Sequence, residues 1–403
     1  MNDLRNRLAA LSPEQRARLL ERVRKERAAG DPAAENATGG YIPAADRSQP
    51  LPLSFAQRRI WFLERLEGRS AAYNMPAAFR LLGDLDTAAV AAAFDEIVRR
   101  HEVLRTRLVD QDGEPAQVID PAPGATLCRT RSLAGVPAAD REDAVRAALR
   151  DEASHVFDLA REHPIRVLLI HLAPGEHVLV VTLHHVASDG WSTGVLVREF
   201  AALYNSLRQG ADSPLADLPV QYADFAQWQR RQVEDSAVAL PHLDYWRTQL
   251  ADAPGVINLP SDGGKDEGLH RHSASREAAS ATAGEAVYFR IDAEVADAVN
   301  ALARRTDSSA YMVLLAAFMA LLHRWSGDVD LTVGSPIANR PRKDLEGLIG
   351  FFVNTLALRV NVDGDPDFLA LIARVRATAL EGYAHAELPF EQVVEKLNPE
   401  RRL

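Results

Sequence analysis

Apolar residues follow helical spacing in one part of the first half of the chain and strand composition in another. Val90, Phe94 and Ile97 recur at i, i+4 and i+7, which predicts a helix over 86–100 with Asp86 as its N-cap. The other predicted elements of this half are a hairpin of β-rich strands at 165–172 and 177–183 and a helix at 193–207. Helices interspersed with strands indicate an α+β protein.

The second half of the chain repeats this alternation. Its predicted elements are a helix capped by Asp292, a buried helix over the apolar run 310–322, a strand at 329–333, and a helix that ends near Tyr383 with Asp365 as its cap and Pro366 in its first turn. The polar stretch 261–284 predicts an exposed loop. Two α+β lobes are therefore expected, with their boundary between 210 and 221.

The first 30 residues differ from the rest of the chain in charge. They carry eight Lys or Arg against four acidic residues, and the run S-P-E-Q at 12–15 predicts the start of a helix. This leader helix is expected to be either a solvated segment or a docking element for a partner protein. Residues 31–52, rich in Pro and Gly, have the composition of a linker. The expected organisation is thus 1–30 leader, 31–52 linker, 53–215 first lobe and 216–403 second lobe.

Composition narrows the class of protein. The 403-residue chain has 46 Lys and Arg against 56 Asp and Glu, and its formal net charge of −10 provides no overall field for nucleic acid. One cysteine, Cys128, excludes an intramolecular disulfide and a multi-cysteine metal site. No apolar run reaches the ~18 residues that suggest a bilayer span, and no apolar signal segment is present. We therefore expect a cytoplasmic protein without a membrane partner.

The densest polar cluster is the run H-H-V-A-S-D-G-W-S at 184–192, which follows an apolar strand. Because neighbouring strand residues face opposite sides, His184 and His185 cannot both enter one cleft, and one is expected to be catalytic and the other structural. Asp189 can fix the loop by pairing with a backbone amide or a cation, and Gly190 allows a tight turn or a close ligand. A hydrogen-bonded core pair of histidines is the alternative. No H-E-x-x-H spacing is present, so no metal is expected.

A second alternative comes from the string G-W-S-T-G at 190–194, which matches the G-x-S-x-G pattern of serine hydrolases. In those enzymes the serine lies on a sharp turn directly between a strand and a helix. Here six polar or small residues separate Leu183 from Gly190, so a nucleophilic Ser192 fits the pattern only partly.

The run H-H-x-x-x-D-G resembles the active-site motif of the condensation domains of nonribosomal peptide synthetases. Five further stretches resemble motifs of that family in the same order: S-F-A-Q-R-R-I-W at 54–61, R-H-E-V-L-R-T at 100–106, Y-A-D-F-A-Q-W at 222–228, I-G-F-F-V-N-T at 349–355 and L-P-F-E at 388–391. Two features depart from the family pattern. The last motif begins H-A-E at 385–387 instead of His-Gln-Asp, and family members continue well past it, so the second lobe is expected to be truncated at its C-terminal side.

The resemblance implies a fold of two chloramphenicol-acetyltransferase-like lobes in a V-shaped pseudo-dimer, with an active-site tunnel between them. It implies amide bond formation between a carrier-bound donor thioester and the amine of a carrier-bound acceptor. His185 matches the catalytic histidine of the family, Gly190 is the candidate oxyanion donor, and Asp189 is expected to pair with Arg340. The residues expected to line the tunnel or to support it are Arg58, Arg340, Asn354 and Ser192.

The resemblance also implies the partners. The domain itself binds no cofactor, and its substrates arrive on 4′-phosphopantetheine arms. An upstream donor peptidyl carrier protein, reached in trans through the leader helix, and downstream adenylation and acceptor carrier domains are expected. The runs at 73–80 and 191–196 resemble the subtype that joins an L-configured donor to an L-acceptor. Two alternatives stay open: a non-catalytic carrier-docking platform, which usually lacks the second His or the Asp, and a starter domain that uses a fatty acyl donor.

Overall fold

A four-stranded sheet forms the centre of the first lobe in the computed structural model, which describes residues 41–122, 124, 126–260 and 287–397. The chain divides into two compact units, Met1–Pro43 and Ala44–Leu403. All the described helices and strands lie in the second unit. The predicted leader helix, residues 31–40 of the predicted linker and the predicted loop at 261–284 lie outside the described residues.

The elements of the first lobe alternate between helices and strands. In chain order they are β1 (Leu51–Pro52), α1 (Phe55–Glu67), β2 (Asn74–Leu82), α2 (Thr87–Arg100), a 3-10 turn (Glu102–Arg105), β3 (Thr106–Gln111), β4 (Glu114–Ile119), β5 (Cys128–Ser132), α3 (Ala138–Ala153), β6 (Ile165–Ala173), β7 (Glu176–His184), a 3-10 turn (His185–Ala187) and α4 (Gly190–Leu207).

The second lobe is mostly helical over the described residues. Its elements are α5 (Tyr222–Glu234), α6 (Ser236–Gln249), α7 (Ala293–Arg305), α8 (Ala310–Ser326), β8 (Asp330–Ile337), a 3-10 turn (Lys343–Leu345), β9 (Asn354–Asn361), α9 (Phe368–Ala384) and α10 (Phe390–Leu397). Strands β8 and β9 pair antiparallel and form a sheet of two strands. The lobe boundary predicted at 215/216 stays a prediction.

The hairpin β6–β7 carries the core of the first lobe, and the two predicted strands are confirmed. The sheet order is β2-β7-β6-β5, with β5 parallel to β6 and the other pairs antiparallel. Gly175, at φ 73°, provides the left-handed residue in the connecting turn. Apolar residues of both strands pack against α3 on one face of the sheet. The opposite face carries Leu179 and Val181, which line a cavity of about 470 Å³ together with residues of α2 and α4. Strand β7 is therefore buried on both faces.

Two predictions for the second lobe need correction. The apolar run 310–322 lies in α8, but the helix is buried on one face only: Met312, Ala316 and Met319 are buried, whereas Leu314, Phe318, Leu321 and Trp325 are exposed. Apolar residues on all sides of a helix allow burial but do not supply a partner for each face. The last predicted helix begins later than expected, because Asp367 accepts the hydrogen bond from Ala370 N and is its N-cap. Asp365 instead adopts a left-handed turn conformation before it.

The helices also bear on membrane insertion. Within the described ranges, no single helix has both the length and the apolar composition to cross a bilayer, and only the bent pair of α7 and α8, at 104° to each other, meets those two criteria together.

Within the second lobe, α5 lies against the segment that precedes β9, and Ser54 of the first lobe contacts it there. The Tyr222 ring packs edge-on to Phe352, with ring centroids 5.0 Å apart, and its hydroxyl donates a hydrogen bond to Phe351 O at 2.6 Å. Ser54 Oγ lies 2.8 Å from the same hydroxyl. The backbone of Gly350 passes directly beneath the Tyr222 ring, and the close approach of backbone and ring requires a residue without a side chain.

We therefore predict that Gly350→Ala destabilises the protein. A Cβ at this position would overlap the Tyr222 ring and would lie 2.7 Å from Phe352 Cε2. Overpacking of this kind costs about 1–3 kcal/mol of the free energy of unfolding. The control is Gly347→Ala on the same segment, where the nearest atom to the added Cβ is Leu218 Cδ2 at 3.8 Å. Urea denaturation compares the two variants, and equal stabilities would contradict the packing described here.

Candidate active site

The histidine motif lies where β7 ends and α4 begins. The strand ends at His184, a 3-10 turn covers His185–Ala187, and Asp189 is the N-cap of α4. The helix starts at Gly190 rather than at the predicted 193, because the Asp189 side chain accepts the hydrogen bond from Ser192 N at 2.8 Å. Capping by Asp189 thus places the last residues of the polar motif, 190–192, in the first turn of the helix.

His184 is fully buried and hydrogen-bonded at both ring nitrogens. Its Nδ1 accepts a hydrogen bond from Val186 N at 3.2 Å, and its Nε2 lies 3.1 Å from Glu64 Oε1 on α1. An acceptor at Nδ1 places the ring proton on Nε2, which donates it to the carboxylate. Phe157 packs edge-on against the same ring. These contacts tie β7 to α1 and leave neither nitrogen for a substrate.

His185 has different surroundings. Its backbone N–H donates to Tyr73 O at 2.8 Å, and its ring lies edge-on to Phe351, with centroids 4.5 Å apart. Among the described residues, its buried Nδ1 has no hydrogen-bond partner. Within the described part of the chain, no carboxylate is hydrogen-bonded to this Nδ1, as one is in a Ser-His-Asp triad. Packing against Phe351 therefore fixes the ring.

Asp189 joins the two lobes. The carboxylate is fully buried and lies 3.2 Å from Arg340 Nη2, so the predicted ion pair is present. Besides the capping bond, it accepts hydrogen bonds from Ser192 Oγ at 2.7 Å and from Phe352 N at 3.1 Å. A buried carboxylate needs this many donors because desolvation otherwise disfavours its charged form.

Arg340 is held as firmly as its partner. Its Nη1 donates to Leu345 O and to Leu348 O, each at 2.7 Å, and the guanidinium lies over the Phe352 ring at 3.9 Å from the centroid. Burial lowers the pKa of Arg340 from its ordinary value, and Asp189 opposes that shift. The preceding residue, Asn339, has a positive φ of 46°, a conformation that Asn tolerates better than most residues.

Ser192 is a junction between the lobes and not a nucleophile. Its Oγ has four neighbours: Asp189 Oδ1 at 2.7 Å, Gly350 O at 2.9 Å, Gly350 N at 3.0 Å and Arg340 Nη2 at 3.0 Å. One hydroxyl donates once and accepts twice, so these neighbours use its whole capacity. No imidazole lies among them, and the serine-hydrolase alternative has no base at this position.

Gly190 is exposed at the start of α4. A Cβ there would meet nothing within 4 Å, and its φ is not in the left-handed range. The fold therefore does not require glycine at this position, and the backbone N–H belongs to the first turn of α4, where amides have no partner within the helix.

Two of the predicted support residues are bonded to groups other than the histidines. Asn354 Nδ2 donates to Ala386 O at 2.8 Å and to Leu388 O at 3.0 Å, and its Oδ1 accepts from Phe390 N at 2.9 Å. It holds the turn between α9 and α10, which is structural support. Arg58 forms an exposed pair with Glu114 at 3.4 Å.

Sequence reasoning missed Glu64, Tyr222 and Glu199 as residues that shape this region. Glu64 lies on α1 seven residues after Gln57, whose Nε2 donates to Val186 O at 3.2 Å. That spacing puts both side chains on one helix face and is the signal that could have identified Glu64.

We predict that Asp189→Ala lowers the free energy of unfolding by about 3–5 kcal/mol, because it leaves the Arg340 guanidinium buried without its counter-charge. The control is Glu114→Ala, which breaks the exposed pair with Arg58 and should change stability by no more than about 1 kcal/mol. Chemical denaturation measures both variants. Similar small losses would show that the buried pair does not hold the lobes together.

Comparison with known proteins identifies the family to which these features belong. A family model described as the condensation domain matches residues 47–403. Phosphinothricin tripeptide synthetase PhsC of Streptomyces viridochromogenes is 41% identical over 405 residues, which are 100% of this chain and 35% of that protein. The probable non-canonical nonribosomal peptide synthetase CymA of Salinispora arenicola is 44% identical over 362 residues, 88% of this chain and 4% of that protein. The chain thus spans about a third or less of these relatives.

Solved structures of other proteins are similar to this chain as well. The X-domain from teicoplanin biosynthesis matches with a TM-score of 0.77 at 29% identity, over 90% of this chain and 76% of that one. SgcC5 from Streptomyces globisporus matches with a TM-score of 0.68 at 30% identity, over 86% and 76% of the two chains. The first condensation domain of the calcium-dependent antibiotic synthetase, at 22% identity and a TM-score of 0.71, supports the fold. The two chloramphenicol-acetyltransferase-like lobes are confirmed, and the chain belongs to the condensation-domain family of nonribosomal peptide synthetases.

Proposed function

We propose that this chain forms an amide bond between a carrier-bound acyl or aminoacyl thioester and the amine of a carrier-bound aminoacyl thioester. The observation that carries the proposal is the intact histidine motif. His185 stands at the end of a buried strand, beside the exposed N-terminus of α4, and the Asp189–Arg340 pair fixes that position.

The reaction needs no nucleophile from the protein. The acceptor amine attacks the donor carbonyl, a C–N bond forms, the C–S bond breaks, and the thiol of the donor arm leaves with a proton. An α-amine has a pKa of roughly 7.7–8.0, so a useful fraction is neutral near pH 7. The locked hydroxyl of Ser192 agrees with a mechanism in which the substrate supplies the nucleophile.

His185 aligns the amine and accepts the proton that it loses. Its Nδ1 lacks a partner among the described residues, so the ring has no carboxylate to stabilise a full positive charge. General-base assistance contributes about 10²–10⁴-fold to a rate. Orientation of two bound substrates contributes up to ~10 kcal/mol, and we assign the larger share of the acceleration to it.

Gly190 supplies electrostatic stabilisation of the transition state. Its backbone N–H opens the first turn of α4, where the helix dipole is positive, and a Cβ on this residue would meet nothing within 4 Å. A carbonyl oxygen that gains negative charge during attack would be stabilised there.

The proposed partners are the domains that deliver substrates. Donor and acceptor arrive on 4′-phosphopantetheine arms of carrier domains, and an adenylation domain loads the acceptor. Delivery of the donor in trans through residues 1–30 remains a prediction from the charge of that segment.

A second candidate function is a platform that recruits another protein. The X-domain from teicoplanin biosynthesis, 30% identical to this chain, was solved in complex with OxyB. The intact His185 and Asp189 favour catalysis over this alternative.

The test compares the two histidines. His185→Ala should leave the fold intact and lower amide formation by two or more orders of magnitude, with both loaded thioesters persisting. His184→Ala should instead lose about 1–3 kcal/mol of stability, because Glu64 and Val186 N lose their partner in the interior, with a smaller effect on the rate of the folded protein.

Mass spectrometry of the acceptor carrier, after mixing with loaded donor carrier, gives the rate, and a melting curve gives the stability. Aminoacyl-loaded and fatty-acyl-loaded donors run in parallel decide between an elongating and a starter domain. Near-normal transfer by a folded His185→Ala would reject the proton-transfer role. An inactive but stable His184→Ala would show that the other ring reacts, and wild-type protein that transfers neither donor would favour the platform.

A further inference from the structure

A second buried histidine lies at the lobe interface, outside the active-site motif. His101, only 1% exposed, follows the end of α2. Its Nε2 lies 2.8 Å from Glu199 Oε2 on α4, and Arg100 Nε donates to the other carboxylate oxygen of Glu199 at 3.0 Å. Its Nδ1 faces the second lobe and accepts a hydrogen bond from Ile349 N at 3.3 Å.

These contacts fix the protonation state of the ring. Because Nδ1 accepts a backbone N–H, the ring proton lies on Nε2 and is donated to Glu199. Burial lowers the pKa of His101 against the opposing effect of Glu199, and the nearby Arg100 and Arg340 guanidinium groups also lower it. The ring is therefore neutral near pH 7, and Nδ1 stays available as an acceptor.

The Ile349 amide begins the four-residue segment that carries Phe351 to the active site. The first lobe also binds two other residues of this segment. Gly350 N donates a hydrogen bond to Ser192 Oγ, and Phe352 N donates one to the Asp189 carboxylate. Phe351, between these anchors, presents the ring that packs on His185 at 4.5 Å. The position of the reacting imidazole thus depends on the anchoring of this segment.

We infer that His101 is a positioning residue for amide formation: by accepting the Ile349 N–H it sets the Phe351 ring against which His185 packs. It touches neither substrate nor the reacting atoms. The inference rests on the proposed function, because it assigns the consequence to the His185 reaction.

Two substitutions separate the two contacts of the ring. Asn places its amide oxygen near the position of Nδ1, so His101→Asn keeps an acceptor for Ile349 N–H and loses the bond to Glu199. Gln places its amide nitrogen near the position of Nε2, so His101→Gln keeps a donor for Glu199 and loses the acceptor. Glu199→Gln, the third variant, retains an acceptor for Nε2–H and should leave the ring in place.

The first measurement is kinetic. We expect His101→Gln to lower kcat about 10-fold or more, since small displacements in a catalytic site carry costs up to ~10²-fold. His101→Asn and Glu199→Gln should stay within about 3-fold of wild type, and KM for both carriers should not change. A merely structural role would instead lower the melting temperature of the variants without separating their kcat values on the folded fraction.

The second measurement needs no turnover. The Phe351 ring current shifts the NMR signal of the His185 ring in isotope-labelled protein, and that shift should persist in His101→Asn and be lost in His101→Gln. Equal shifts in the two variants overturn the inference. An inactive wild type in which the shifts still separate would contradict the proposed function and leave the positioning contact established. If His101→Gln does not fold, a tenfold loss of kcat in folded His101→Asn or Glu199→Gln overturns the inference, and retention of kcat supports it.

Discussion

The buried ion pair between Asp189 and Arg340 is the contact on which the arrangement of the two lobes depends. Both side chains are almost completely removed from solvent, at 0% and 2% exposure, so their desolvation is expensive. The structure offsets that cost with hydrogen bonds to both partners, from Ser192 and Phe352 N to the carboxylate and from the guanidinium to two carbonyl groups. Of these bonds, the one from Phe352 N to Asp189 crosses between the lobes, as the ion pair does, and both require this relative position of the lobes. A pair of this kind contributes more to a unique geometry than to net stability.

That geometry determines what happens at the end of β7. Asp189 is at once the N-cap of α4 and the acceptor for Phe352 N, so helix initiation and lobe contact use the same carboxylate. The helix start then places the Gly190 N–H in the first turn of α4, and the contact with Phe352 brings the neighbouring Phe351 onto His185. A single substitution at Asp189 would therefore disturb the helix cap, the lobe contact and the surroundings of the His185 ring together, which makes its effects on stability and on rate hard to separate. His101 offers a cleaner test, because it acts on the same segment from outside the motif.

The sequence was most informative where the determinants are local. The hairpin of β6 and β7 follows from two β-rich runs and a Pro-Gly turn. His184 and His185 do have different surroundings, but the strand ends at His184 and His185 opens the 3-10 turn, so strand alternation is not the cause. The cap at Asp367 and the exposed face of α8 could not be predicted: the first required a choice between aspartates two residues apart, and the second depends on which surfaces find a partner. Glu64 and Glu199 were missed because their partners lie far away in the chain, at separations of 120 and 98 residues. Helical spacing can place Glu64 on the face of α1 that Gln57 shares, but no periodicity in one sequence identifies the partner of either glutamate.

The environments of the three histidines differ in a way that separates support from chemistry. His184 and His101 share one pattern: Nδ1 accepts a backbone N–H, and Nε2–H donates to a glutamate on a neighbouring helix. Both rings are neutral, fully engaged and unable to exchange a proton without breaking a buried hydrogen bond, which suits them to hold strands, helices and lobes in place. Among the described residues, His185 has neither of these two hydrogen bonds, and its ring packs against Phe351 instead. An imidazole oriented by an aromatic contact keeps its hydrogen-bonding capacity for a substrate. The histidine that we propose to react thus differs from these two structural histidines, each of which donates to a glutamate.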